Sequence, residues 1–150
     1  MKLTISTPLA VVVEAEDVTH LRAEDETGAF GILPNHADFL TVLAMSVMSW
    51  RDLQDAEHHV AVRGGLLEVR DGDIIAVATR EAVPGDDLVQ LETEVLARFR
   101  RQIEEEHTAR TDAQRLYLAA IRQIFHVLRP ELSHLAPRTG MAGQPEGVDG

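Results

Sequence analysis

The chain has 150 residues and 45% hydrophobic content, enough for one ordinary domain or a compact domain with a smaller appendage, which excludes disorder throughout. A formal net charge of -11 argues against direct binding to nucleic acid or anionic lipid, which such a surface would repel, and favours a basic or protein partner. The absence of cysteine removes disulfides, thiol catalysis and thiolate metal sites, and no apolar run approaches the roughly 20 residues of a membrane span, so the expectation is a soluble, cytosolic protein.

From Met1 to about Val83 the signals are those of short strands. "KLTIS" sets Leu3 and Ile5 on one face, "DVTHLRA" places Val18 and Leu21 near a strand, and "HHVAVRG" puts Val60 and Val62 on one side. Between them lies "GAFGILPNHADFLT", Gly28 to Thr41, with two glycines, a proline, an asparagine and a histidine around Ile32 and Leu33, and no nucleophile, base or phosphate cradle. Residues that fix backbone shape beside apolar side chains suit a rigid protein-contact edge, and they suit equally a tight turn between strands. Gly64-Gly65 has no GxGxxG context and precedes a strand, so it reads as a bulge or a close approach of two strands. Asp71-Gly72 marks a hairpin turn, because both residues tolerate positive φ. Short strands with turn signals at close spacing predict an antiparallel sandwich or barrel.

The pattern changes at "AVPGDDL", where Pro84 and Gly85 punctuate the chain and Asp86 or Asp87 can cap a helix. Leu88, Leu91, Val95, Phe99 and Ile103 then form one apolar stripe, as an amphipathic helix requires. "TDAQ" offers a capping box, with Thr111 as cap and Gln114 reaching back, so a second helix is predicted with Tyr117, Ile121, Ile124, Phe125 and Leu128 on its apolar side and Pro130 as its stop. The short link makes an antiparallel hairpin the default. The glycine- and proline-rich remainder reads as a disordered tail. The expected division is 1–84 for the sandwich, 85–130 for the hairpin and 131–150 for the tail.

Candidate chemistry is sparse. His58 and His59, adjacent in a strand, point to opposite faces and do not chelate one ion; His20, His107, His126 and His134 are isolated. Glu104, Glu105 and Glu106 spread over about 200° of a helix and do not converge. Ser6, Ser46, Ser49 and Ser133 have no nucleophile-elbow context. By elimination the chain does not read as an enzyme, and no cofactor or metal is expected.

Taken in order, "GAFGILPNHADFLTVL", "VAVRGGLLEVRDGDIIAVAT" and "PGDDL" followed by a helical hairpin resemble the epsilon subunit of F-type ATP synthases. Its pattern of G-x-x-G-I-L-P-x-H-A and then G-G-x-L-E-V falls here on Gly28 to Ala37 and Gly64 to Val69. The resemblance implies a ten-stranded β-sandwich followed by two α-helices in an antiparallel hairpin. It further implies a non-catalytic rotor subunit in the central stalk. That subunit holds gamma on one side and the polar loops of the c-ring on the other, and couples ion-driven rotation to ATP synthesis on alpha and beta. The hairpin in many bacterial members extends along gamma and blocks hydrolysis. Carried over by position, Ala29, Phe30, Gly31, Ile32, Leu33, Pro34, Asn35 and His36 would form the gamma and c-ring contact. The implied location is the cytoplasmic face of the bacterial plasma membrane, reached only through the complex.

Three departures stand out. Many relatives carry an acid where this chain has Ala29, with Glu26 the nearest substitute, and a Pro-Gly turn where it reads "AMSVMSW". ATP-binding members carry I/L-D-x-x-R-A in the first helix, where this chain has Leu88, Val89, Gln90, Leu91, Glu92 and Thr93, so no regulatory ATP site is expected. These departures and the arginine-rich helices resemble the alternate F-type ATPases that some bacteria encode beside a standard one. The alternative reading is a free-standing β-sandwich ligand-binding module that dimerises through its hairpin.

Overall fold

The computed structural model describes residues 1–133, with side chains described as far as Leu128. Most of the expected tail lies outside the described residues. The chain divides into two compact units, with the boundary between Glu105 and Glu106.

In the first unit, eight strands follow one another: β1 (Lys2–Ser6), β2 (Val11–Ala15), β3 (His20–Asp25), β4 (Gly28–Ile32), β5 (Phe39–Arg51), β6 (Glu57–Arg70), β7 (Ile74–Ala78) and β8 (Ala82–Gly85). They pair in the order β2-β1-β7-β6-β5-β3-β4, with β8 also on β6. All pairs are antiparallel except β1 with β7, which run parallel. Leu3 and Ile5 of β1, Leu21 of β3, Ile32 of β4, Met48 of β5, Val60, Val62 and Leu67 of β6 and Ile75 of β7 share one fully buried core. Side chains from every part of the pairing path thus face a common interior, which is a sandwich.

The resemblance implies ten strands and the described residues hold eight, because β5 and β6 each serve both layers. β6 is 14 residues long and pairs with β8 through His59–Val62, then with β7 through Leu66–Arg70. Val60 and Val62 face the core, and so do Leu67 and Val69, so the buried parity shifts by one along the strand. The shift falls at Gly64 and Gly65, whose φ angles are +68° and +128°. A Cβ on Gly65 would lie 2.1 Å from the Ala78 carbonyl oxygen, so only glycine fits this bend. At the other end of β6, Asp71 and Gly72 have φ of 53° and 75°, as the hairpin reading requires. No Pro-Gly-type turn interrupts β5, which runs through "AMSVMSW" and buries Trp50 in the core.

Asp87 caps the first helical turn, its carboxylate accepting from the Gln90 N–H at 3.2 Å. A short α1 (Leu88–Gln90) passes through a π-helical turn (Leu91–Val95) into α2 (Leu96–Ser133). The wider turn moves the apolar stripe by one residue, so Leu96 joins Leu91 and Phe99 in burial, while Val95 is only partly buried. These side chains cover the outer face of the sandwich at Ala61, with Met45, Val47 and Val83 around them. Burying Phe99 completely contributes on the order of 2–3 kcal/mol.

The second unit begins inside α2, and here the structure differs from the expected hairpin. The helix is continuous through Thr111, whose hydroxyl donates to the His107 carbonyl at 3.0 Å instead of capping a new helix. Neither glycine nor proline lies between Leu96 and Leu128, and the glutamate, alanine, arginine and glutamine residues around Thr111 favour helix, so nothing local forces a stop. The helix also continues three residues past Pro130, to Ser133. Leu116, Tyr117, Leu118, Ile124, Phe125 and Val127 are all exposed on it.

Candidate partner-docking surface

The stretch expected to form a contact divides into an edge strand and a braced loop. Ala29, Phe30, Gly31 and Ile32 belong to β4, whereas Leu33 to Asp38 connect β4 to β5. Alternation along β4 separates packing from display. Ile32 is fully buried in the core, and Phe30 is half-buried, its ring edge-on to Phe39 at 5.7 Å. Ala29 and Gly31 are exposed.

Leu33, Pro34 and Asn35 are exposed and His36 is half-buried. Asn35 adopts φ of 64°, and its N–H donates to the Gly72 carbonyl at 3.0 Å. Asp38 accepts from the Asp71 N–H at 3.0 Å, so two bonds fasten the loop to the β6–β7 turn. His36 stacks edge-on against Phe39 at 5.8 Å, and its Nδ1 donates to the Ala37 carbonyl at 2.7 Å. Backbone bonds, a ring cluster and a left-handed residue together hold Leu33 and Pro34 out toward solvent, with Leu33 59% exposed. This geometry presents apolar surface from a fixed frame, which suits recognition of another protein and offers no group for covalent chemistry.

The adjacent β3–β4 turn is fixed by Asp25. Its carboxylate accepts from the Thr27 hydroxyl at 2.6 Å, the Thr27 N–H at 2.8 Å and the Thr41 hydroxyl at 2.8 Å. The Thr27 hydroxyl, followed by that of Thr41, lowers the Asp25 pKa from its ordinary value. Glu26, the nearest acid to Ala29 in sequence, is exposed at the tip of this turn.

Leu40 and Val42 on β5, 66% and 62% exposed, and Leu66 beside them on β6, form an apolar outer face that the motif-based reading does not include. Its signal is present in "DFLTVL", where Leu40 and Val42 alternate with the core-facing Phe39 and Leu43, making one strand apolar on both faces.

An open groove of about 500 Å³ lies between the first helical turns and the outer face of β3 and β5. Arg22, Arg51 and Arg100 line it together with Glu24, Glu57 and Glu92, a set of charges balanced in sign. His58 and His59 turn to opposite sides. His58 Nε2 lies 2.9 Å from the Asp52 carboxylate, and His59 Nδ1 lies 2.7 Å from the Ser49 hydroxyl. Among the described residues no three histidine, aspartate or glutamate side chains are grouped to hold a metal ion, and no helix is long and apolar enough to cross a membrane.

Residues 1–85 match the family described as ATP synthase, Delta/Epsilon chain, beta-sandwich domain. The chain belongs to the ATP synthase epsilon family. Within it, the chain is 42% identical over 130 residues to the ATP synthase epsilon chain 2 of Paraburkholderia xenovorans, covering 87% of this chain and 94% of that one. It is 40% identical to the ATP synthase epsilon chain 2 of Cereibacter sphaeroides, over 85% of this chain and 88% of that one. The ATP synthase epsilon chain of Geobacter sp. is 32% identical over 82% of this chain and 87% of the relative. Among solved structures, a chain of the Euglena gracilis mitochondrial ATP synthase, OSCP/F1/c-ring, shares the fold at a TM-score of 0.54 and 22% identity, covering 71% of this chain and 62% of that chain. The epsilon-family match covers the sandwich and the braced loop, so both ordered motifs fall within it.

Proposed function

We propose that this chain is the non-catalytic epsilon subunit in the central stalk of an F-type ATP synthase. It docks gamma on one side of the sandwich and the polar loops of the c-ring on the other. Ion-driven rotation of the ring is thereby coupled through gamma to ATP synthesis or hydrolysis on alpha and beta. The observation that carries this reading is the loop from Leu33 to Asp38, fastened to the β6–β7 turn within a sandwich of the epsilon family. A preformed loop binds without the entropy cost of ordering itself. In this reading Ala29 to His36 make the contact with gamma and the c-ring, and the subunit sits peripherally on the cytoplasmic face of the bacterial plasma membrane.

The exposed apolar side chains from Leu116 to Leu128 support a regulatory role for the second unit, since such a row gains stability when another subunit covers it. An inhibitory element would use the extended helix against gamma, alpha and beta. The two-helix hairpin would be the alternative folded state, reached by breaking the helix at the Thr111 capping box. Two relatives named epsilon chain 2, together with Ala29 and Glu92, support assignment to the alternate type of F-type ATPase.

Copurification with gamma tests the proposal. A stable complex with gamma is expected from co-expression. A stable homodimer that ignores gamma would instead favour a free-standing β-sandwich ligand-binding module.

A further inference from the structure

The net charge of -11 is not spread evenly along the chain. Between Asp112 and Glu131 there is no acidic residue, while Arg115, Arg122 and Arg129 all fall within that interval. The interval belongs to α2 in the second unit, and its side chains as far as Leu128 are exposed, apart from the half-buried Ile121. An acidic protein thus displays one basic segment that is also rich in large apolar residues.

From Arg115 to Leu128, at about 100° per residue, apolar and polar side chains separate without overlap around the helix. Leu116 and Val127 bound one edge of the apolar arc, Leu118 and Phe125 bound the other, and Ile124 and Leu128 lie near its middle. The arc covers about 200°. Arg115, Arg122, Gln123 and His126 occupy the opposite side, with Ala119 the one small residue among them. No described helix is long and apolar enough to cross a membrane, so a helix patterned this way can lie on a bilayer but not span it.

The width of the arc and the place of the cations select the occupant. A second helix packed against this one covers a narrower seam and leaves one edge of the arc in water. A protein groove deep enough to enclose the whole arc leaves Arg115 and Arg122 behind the helix, turned away from the contact. At a lipid-water boundary the arc enters the acyl chains while the arginines lie among the headgroups, and anionic headgroups match both halves at once. Charges more than about 10 Å away are screened at about 0.1 M salt, so the local balance of this segment sets the attraction, not the total of the chain.

We infer that residues 115–128 form a lipid-surface helix, which lies in the boundary of an anionic bilayer with its apolar arc inserted and Arg115 and Arg122 on headgroup phosphates. The inference stands on this helix alone and does not depend on the docking role of the sandwich. Lipid and other subunits would cover the same arc, so the lipid-bound state and the inhibitory state proposed above exclude one another.

The chain has no cysteine, so a single introduced thiol can carry an environment-sensitive fluorophore at a chosen position. Full-length Ile124→Cys and Gln123→Cys, each labelled, are mixed with vesicles of phosphatidylglycerol and phosphatidylcholine, or of phosphatidylcholine alone. On the mixed vesicles the label at 124 should enter an apolar environment, and the label at 123, about 100° away, should stay in water. Affinity for the mixed vesicles should exceed that for phosphatidylcholine by at least about tenfold, and Arg115→Gln combined with Arg122→Gln should weaken it by a similar factor. Equal affinity for the two vesicle types, equal shifts at both labels, or binding unchanged by the double substitution would overturn the inference. A label at 124 that is silent on vesicles but shifts in a homodimer, or in the assembled ATP synthase, would assign the arc to a protein partner and overturn it as well.

Discussion

The Asn35 N–H donates to the Gly72 carbonyl at 3.0 Å, and a Cβ on Gly72 would lie 3.0 Å from the Asn35 Cα. The exposed loop and the β6–β7 turn therefore fit together only because position 72 has no side chain. At φ of +75° an alanine there also carries a backbone penalty of about 1–2 kcal/mol. Gly72→Ala should lower the unfolding free energy by that amount, and it should weaken gamma binding beyond the loss of folded protein, because the loop is displaced. Denaturant unfolding and gamma affinity on the same preparation check both parts.

Two other glycines separate space from backbone strain. Gly65 and Gly28 have nearly the same φ, +128° and +123°, but a Cβ at Gly65 meets the Ala78 carbonyl oxygen at 2.1 Å and one at Gly28 meets nothing within 4 Å. Gly28→Ala should cost roughly 1–2 kcal/mol from conformation alone, whereas Gly65→Ala should cost at least about 3 kcal/mol. Equal losses in urea denaturation would contradict the role assigned to the β6 bend.

The two halves of the helical region should respond differently to truncation. Phe99 is fully buried on the sandwich, and Phe99→Ala is expected to destabilise the first unit by about 3–5 kcal/mol. Phe125 is 64% exposed, so Phe125→Ala should change the stability of the isolated chain by less than about 0.5 kcal/mol. Its effect should emerge in ATP hydrolysis by the assembled complex, as partial relief of inhibition. Unchanged hydrolysis would count against the regulatory role.

Acid sensitivity is expected at the β5–β6 turn. His58 at 2.9 Å, followed by the Ala56 N–H, holds the Asp52 carboxyl below its ordinary pKa. A depressed folded-state pKa contributes stability that is present above the unfolded value, about 3.9, and is lost as pH falls through the folded one. The stability difference between wild type and Asp52→Asn should therefore be largest at pH 5 and above and shrink below about pH 4. A difference that grows with acid in denaturant titrations would refute the assignment.

Nucleotide binding provides a further check. The first helical turns carry Gln90 and Glu92 and no arginine before Arg98, so a triphosphate meets a carboxylate where a cation would be needed. Calorimetric titration of ATP into the isolated protein should give no micromolar binding.

Local chemistry made some of this architecture legible. Asp71-Gly72 showed its turn because both residues accept positive φ, and Asp87 showed its cap by preceding an apolar stripe. The sharing of β5 and β6 between layers was hidden, because a parity shift at Gly64-Gly65 resembles the gap between two separate strands. The capping box at Thr111 has the composition of a helix start, yet the same residues are compatible with a helix interior, and no glycine or proline decides between the two. The bracing of Asn35 by Gly72 joins residues far apart in the chain, and no local pattern reports such a contact.

The sharing of β5 and β6 also bears on how the sandwich withstands load. Neither layer can peel away while the other remains intact, since covalent chain runs through both and each long strand is hydrogen-bonded along most of its length. The first unit should therefore open in a single cooperative event, with amides on β5 and β6 exchanging only at the rate of complete unfolding. A unit built this way has no internal seam along which load could be absorbed, which suits the stalk role proposed for it.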